Sequence, residues 1–158
     1  MGTRMKTITL LTNGTRGDVL PYIALGLGLR DQGFTVRIAA SAGFRPLVEP
    51  SGLTFAPFDG NPSDLMIEQS DLLTLGSNLI STIQANREFI LKARTIHSHM
   101  LHTATNACRG SDILIYGLST LWGAHIAEGL RIPGIRAVLQ PLGPTRHFPS
   151  ALLPFRFS

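Results

Sequence analysis

Cysteine is nearly absent from this sequence, with Cys108 alone among 158 residues. One thiol builds neither a disulfide framework nor a cysteine-based metal cage, and it fits a reducing compartment. Aromatic residues make up only 7% and charged residues only 15%. The 14 Lys and Arg exceed the 10 Asp and Glu, giving a formal charge of +4. Those cations run from Arg4 to Arg156 without a dense cluster. A nucleic-acid surface would gather them on one face and interleave them with aromatics, so no nucleic-acid partner is expected. Long hydrophobic runs are lacking too. The longest stretches free of Asp, Glu, Lys and Arg, Leu72 to Asn86 and Ile113 to Ala127, are 15 residues each. Both contain polar residues and fall short of the roughly 20 needed to span a bilayer. The apolar run Thr7 to Thr12 stops at Asn13-Gly14, too short for a secretory signal. A soluble, cytoplasmic chain is the expectation.

What is present is 44% hydrophobic residues with 16 Gly and 10 Pro, the composition of one turn-rich, well-buried domain. A (β/α)₈ barrel of about 250 residues is excluded by length. Short β-branched runs alternate with helical patterns. Thr7 to Thr12 predicts a strand and Val19 to Gln32 a helix, with Leu20, Ile23, Ala24 and Leu27 at helical spacing, Pro21 in the first turn and Gly33 as the stop. Thr35 to Ala40 is a second strand, Phe44 to Pro50 a short helix and Leu53 to Pro57 a third strand, followed by a turn through Pro62. Helical patterns cover Ser63 to Leu73 and Asn78 to Cys108, broken at Gly76. The second carries an apolar stripe through Leu79, Ile83, Ile90, Ala93, Met100, Ala104 and Cys108. Ile113 to Tyr116, Thr120 to Leu130 and Ile135 to Leu139 read as strand, helix and strand. The tail from Pro141 is Pro-rich and aperiodic.

Five or more strands separated by helices predict a single α/β domain, a Rossmann-like doubly wound parallel sheet of order 3-2-1-4-5 over residues 5–140. Ligands on such sheets sit at the strand carboxyl ends near the order reversal, which points to the loop after the first strand. That loop reads Asn13-Gly14-Thr15-Arg16-Gly17-Asp18. It lacks the G-x-G-x-x-G spacing of a dinucleotide fingerprint, and no Walker lysine follows. Asp18 is placed either to cap the following helix or to accept a proton in the cleft. His97, His99 and His102 do not share one helical face, and no Asp-x-Asp holds a metal-bound diphosphate, so no metal site is expected.

The stretch from Thr12 to Pro21, with Ala24-Leu25-Gly26-Leu27 and Gly33-Phe34-Thr35-Val36, resembles the N-terminal half of GT-B glycosyltransferases. The likeness is strongest to sterol glucosyltransferases and to the enzymes that glycosylate glycopeptide antibiotics. His125-Ile126-Ala127-Glu128, Ile132-Pro133, Pro141-Leu142-Gly143-Pro144-Thr145-Arg146 and Phe148-Pro149 look like the end of the same domain. Residues 141–158 would then be an acceptor loop and the start of an interdomain linker. The resemblance implies an inverting, metal-independent hexosyltransferase. It implies Asp18 as catalytic base and a nucleotide sugar, UDP- or dTDP-linked, as co-substrate, with no other cofactor. It also implies a C-terminal donor domain, in the same chain or as a separate subunit, without which this chain is expected to be inactive.

Asn13, Gly14, Thr15, Arg16, Gly17, Met66, Leu79, His125, Arg146 and Phe148 are the expected substrate contacts. A lone histidine in the place of His125 is more often a structural residue, and Arg146 reads equally as a cap on the tail. Apolar residues in the segments 64–90 and 141–157, with the loops after strands one, three and five, suggest a hydrophobic acceptor such as a sterol, lipid, polyketide or other aglycone. The exposed interdomain face would favour self-association. The alternative is a flavodoxin-like or other non-catalytic ligand-binding α/β domain.

Overall fold

The computed structural model describes residues 5–60 and 97–140. Its elements follow the chain as β1 (Thr7–Leu11), α1 (Arg16–Asp31), β2 (Thr35–Ser41), α2 (Arg45–Val48) and β3 (Thr54–Phe58). Helix α3, described over residues 97–108, comes next, followed by β4 (Ile113–Tyr116), α4 (Gly123–Leu130) and β5 (Gly134–Arg136). All four strand pairs are parallel, in the expected order β3-β2-β1-β4-β5. Strand β1 lies in the middle, with Leu10 opposite Ile38 on one side and Ile115 on the other.

Side-chain alternation along the strands feeds two cores, as a parallel sheet covered on both faces requires. On one face Ile8, Leu10, Val36, Ile38 and Ile115 pack with Val19, Tyr22 and Ile23 of α1 and Val48 of α2. On the other, Leu11, Ala39 and Leu114 meet Met100, Ala104 and Cys108 of α3 and Ile126 and Ala127 of α4. The stripe read from the sequence therefore holds for its last three members, while Leu79, Ile83, Ile90 and Ala93 lie outside the described residues. Among the described residues no helix is long and apolar enough to cross a membrane.

The largest boundary shifts from the sequence reading are at the start of α1, the start of α4 and the end of β5. Helix α1 begins at Arg16 rather than Val19, with Thr15 as its N-cap and Asp18 in the third helical position. Pro21 consequently falls in the second turn, where it offers no N–H to the carbonyl of Gly17. The sheet-facing stripe is Val19, Tyr22, Ile23 and Gly26, and Leu20 is left 46% exposed. At the other end the helix closes with Gly33 N–H to the Arg30 carbonyl (2.9 Å) and Phe34 N–H to the Leu29 carbonyl (3.2 Å). This paired closure, with Phe34 packed beside Leu29 on the first core, is a Schellman arrangement. Helix α4 starts at Gly123 after a 3₁₀ turn over Leu118–Thr120, and β5 is three exposed residues, Gly134–Arg136.

Cys108 is fully buried in the second core. Burial pushes its thiol up to about 12, against a smaller lowering by the Arg37 guanidinium. Arg37 donates to the carbonyls of Ala107 and Arg109, both at 3.0 Å, and so closes the carboxyl end of α3. A thiol reagent is expected to label Cys108 only as fast as the chain opens. Because the unfolded thiol loses its proton first, stability should fall as pH rises from the ordinary thiol range toward about 12. Rapid labelling of the folded chain near pH 8 would contradict this burial.

Candidate functional site: a cleft at the order reversal

The sheet reverses order between β1 and β4, whose outgoing chains diverge toward opposite faces and leave a crevice at their carboxyl ends. A cleft with about 320 Å³ of empty space, counting that open to solvent, occupies this place. It is lined by Thr12, Asp18 and Tyr22 after β1, by Gly117, Leu118 and Ser119 after β4, and by Leu139 and Gln140 after β5. The sequence reading favoured the loops after strands one, three and five. The loop after β3 runs on into residues outside those described, and among the described residues the loop after β4 joins those after β1 and β5 in lining the cleft.

The turn leading into α1 fixes Asp18. Its Oδ2 accepts the Thr15 backbone N–H at 2.8 Å and the Thr15 hydroxyl at 2.9 Å. Asp18 is thus the third-position partner of a capping box rather than the N-cap itself. Its backbone carbonyl accepts the Thr12 hydroxyl at 3.0 Å, tying the end of β1 to the helix. Among the described residues only Oδ2 takes a side-chain hydrogen bond, and Asp18 lines the cleft. Gly14 makes this possible, since it sits at φ +114° and a Cβ there would lie 2.6 Å from Asp18 Oδ2. Only glycine meets both demands without strain.

Hydroxyls lock the floor of the cleft. Thr120, fully buried, donates to the Leu11 carbonyl (2.9 Å) and accepts the Gly117 N–H (3.0 Å). Ser119 donates to the Asn13 carbonyl at 2.6 Å. These bonds bridge β1 and β4 where the sheet ladder has ended. Tyr22 is buried with its ring end against Gly117, and its hydroxyl donates to the Ala137 carbonyl. Burial, and secondarily the negative charge of Asp18, raise its phenol above the ordinary tyrosine range.

The expected contacts separate into groups. Gly14, Thr15, Arg16, Gly17 and Asp18 form the turn, with Arg16 and Gly17 exposed on the first turn of α1. Asn13 is completely buried and does not line the cleft. Its amide donates weakly to the Gly60 carbonyl (3.4 Å), and its Oδ1 is buried with no hydrogen-bond partner among the described residues. His125 stands on α4 with its side chain 85% exposed, Nδ1 4.0 Å from Glu128, and is not among the lining residues. Met66, Leu79, Arg146 and Phe148 lie outside the described residues. His99 pairs with Asp59 at 3.0 Å, and among the described residues no three His, Cys, Asp or Glu side chains gather to hold a metal. Tyr22, Thr12, Ser119 and Thr120 were not singled out from sequence. The available signal for Tyr22 was its place four residues after Asp18, on the same helical face.

Residues 8–149 match the N-terminal domain of glycosyltransferase family 28. The chain belongs to this glycosyltransferase family. It is 45% identical over 145 residues to the sterol 3-beta-glucosyltransferase of Debaryomyces hansenii, covering 92% of this chain and 9% of that protein. Against the enzyme of the same name from Pichia angusta it is 41% identical over 145 residues, covering 92% and 11%. The chain thus spans about a tenth of the length of these relatives. Among solved structures, the glycotransferase of kitacinnamycin superposes with a TM-score of 0.62 at 19% identity, over 92% of this chain and 33% of that one. The calicheamicin glycosyltransferase CalG4 gives 0.63 at 15%, over 92% and 35%. Streptomyces SsfS6 complexed with thymidine diphosphate gives 0.62 at 22%, over 88% and 40%. These likenesses establish the shared fold of GT-B glycosyltransferase N-terminal domains.

Replacing Gly14 with Ala should both strain the backbone and displace the Asp18 carboxylate from Thr15. A loss of about 1–3 kcal/mol is expected in urea unfolding. Unchanged stability in Gly14→Ala would contradict the geometry of the turn.

Proposed function

We propose that this chain is the acceptor-binding half of an inverting, metal-independent glycosyltransferase. It would act on a nucleotide sugar, UDP- or dTDP-linked, and on a hydroxyl of a hydrophobic acceptor, with a sterol favoured over a lipid, polyketide or other aglycone. The observation that carries this reading is the held carboxylate of Asp18 on a cleft at the order reversal, in a chain 45% identical to a sterol 3-beta-glucosyltransferase. The cleft combines apolar Tyr22, Leu118 and Leu139 with polar Thr12, Ser119 and Gln140. Such a lining suits a largely apolar molecule presented by one hydroxyl.

In this mechanism the acceptor hydroxyl enters beside Asp18. As its oxygen bonds to the anomeric carbon, the bond from that carbon to the diphosphate oxygen breaks and the hydroxyl proton passes to Asp18 Oδ1. Thr15 holds Oδ2, so the carboxylate need not reorganise as the reaction proceeds. Attack from the face opposite the leaving group inverts the anomeric configuration. The nucleotide diphosphate would be held by a C-terminal donor domain, in the same polypeptide or as a separate subunit. SsfS6, which shares the fold, has been crystallised with thymidine diphosphate, and this supports a nucleotide-linked donor. Of the expected substrate contacts, Gly14 to Gly17 with Met66, Leu79, Arg146 and Phe148 belong to this reading, while Asn13, which is buried, and His125, which is off the cleft lining, stay outside it. A cytoplasmic location belongs to the reading as well. Residues 5–140 would form the acceptor domain and 141–158 the loop leading toward the linker. Without the donor half the chain would transfer no sugar, and its exposed Leu121, Ile135 and Leu139 would promote self-association. The family membership favours this reading over a flavodoxin-like carrier.

The test joins this chain to the C-terminal remainder of the Debaryomyces hansenii relative. A sterol and an α-linked nucleotide sugar are supplied with and without a chelator, and the product's anomeric configuration is read by NMR. A β-glycoside formed equally well with chelator is expected. An α-glycoside, or activity abolished by chelation, would overturn the inverting, metal-independent mechanism.

A further inference from the structure

The chain leaving β5 has little to hold it. Strand β5 is only three residues long and all three are exposed. Its pairing with β4 ends at Tyr116 opposite Arg136. One further sheet-like bond follows, from the Ala137 N–H to the Tyr116 carbonyl at 3.0 Å. Yet Leu139 and Gln140, two and three residues on, line the cleft together with Asp18.

What anchors this segment from the other side is Tyr22. It lies one helical turn beyond Asp18 on α1, and its hydroxyl donates to the Ala137 carbonyl across the cleft's base. Ala137 is thereby gripped twice, by its N–H on β4 and by its carbonyl on α1. Gly117 leaves the phenol its place, because a Cβ there would lie 2.6 Å from the phenolic oxygen. Burial and the neighbouring Asp18 charge keep the phenol protonated, hence a donor, through the physiological range.

We infer that Tyr22 is a positioning residue for the transfer. Its hydroxyl fixes the segment after β5 against α1 so that Leu139 and Gln140 form the acceptor wall of the cleft that Asp18 lines. The inference rests on the proposed transferase reading only for its effect on acceptor binding. The clasp itself is a property of this chain. One helix therefore sets both the proton-accepting group, through the turn at Thr15, and the facing wall, through Tyr22.

The test uses Tyr22→Phe, which keeps the ring and removes only the donor. In the 158-residue chain, hydrogen exchange at the Ala137 amide, which the Tyr116 carbonyl protects, should quicken severalfold, with amides in β1 and the start of β4 unchanged. Unchanged exchange at Ala137, or equal loosening of the whole sheet, would overturn the clasp. In the two-domain enzyme the same variant should raise the acceptor KM by about 2- to 10-fold and leave the nucleotide-sugar KM unchanged. An unchanged acceptor KM would overturn the positioning role. Gly117→Ala, which crowds the phenolic oxygen, should reproduce both effects. A wild-type two-domain enzyme without turnover would count against the transferase reading, while the exchange measurement would still decide whether Tyr22 holds this segment.

Discussion

The turn between β1 and α1 places one carboxylate under two demands. The Asp18 oxygen that accepts the Thr15 N–H and hydroxyl satisfies the first turn of α1, and this bond orients the carboxylate at the mouth of the cleft. A capping interaction of this kind contributes on the order of 1 kcal/mol, modest beside the burial of α1 on the sheet. Its importance is geometric. It fixes the side chain at the place where the strand order reverses, and Gly14 gives up its side chain so that the oxygen can sit there.

The rest of the site follows from the same reversal. Once β1 and β4 lie side by side, their outgoing chains leave backbone groups at the sheet edge that the ladder no longer pairs. Ser119 and Thr120 take those up with short side chains that reach across without filling the crevice, while the Thr12 hydroxyl donates to the Asp18 carbonyl of α1. A rim of bulkier side chains would have closed it. The opening that remains is bounded by Tyr22, Leu118 and Leu139, and it is this mixed lining, beside the family membership, that favours a hydrophobic acceptor carrying one reacting hydroxyl.

Central strands were the most legible part of the sequence, because β1, β2 and β4 are covered on both faces and so read as short runs rich in β-branched and apolar residues. The exposed edge strand β5 offered no such contrast, and its predicted span of Ile135 to Leu139 overshot the observed Gly134–Arg136. The start of α1 was misplaced because Pro21 suggested a first turn, whereas Thr15 and Asp18 mark the start three residues earlier as a threonine-x-x-acid box. Of the site, the turn and Asp18 were visible in the stretch from Thr12 to Pro21. Tyr22 was not, because the helical stripe read there, Leu20, Ile23, Ala24 and Leu27, left it out, and its burial follows from the earlier helix start. Nor was the β4 wall, since Ser119 and Thr120 become informative only when the β1–β4 neighbourhood is known.

The central claim is that Asp18 serves chemistry as well as helix capping, and substitution by Asn separates the two. Asn keeps the size and a side-chain oxygen able to accept the Thr15 N–H, but removes the charge and the capacity to take a proton. The decisive measurement is turnover and thermal unfolding of Asp18→Asn in the two-domain enzyme. A fall in kcat of about 10²- to 10⁴-fold, with little change in melting temperature or acceptor KM, is the predicted result. An Asp18→Asn enzyme with nearly full activity would contradict it and leave Asp18 a structural residue alone.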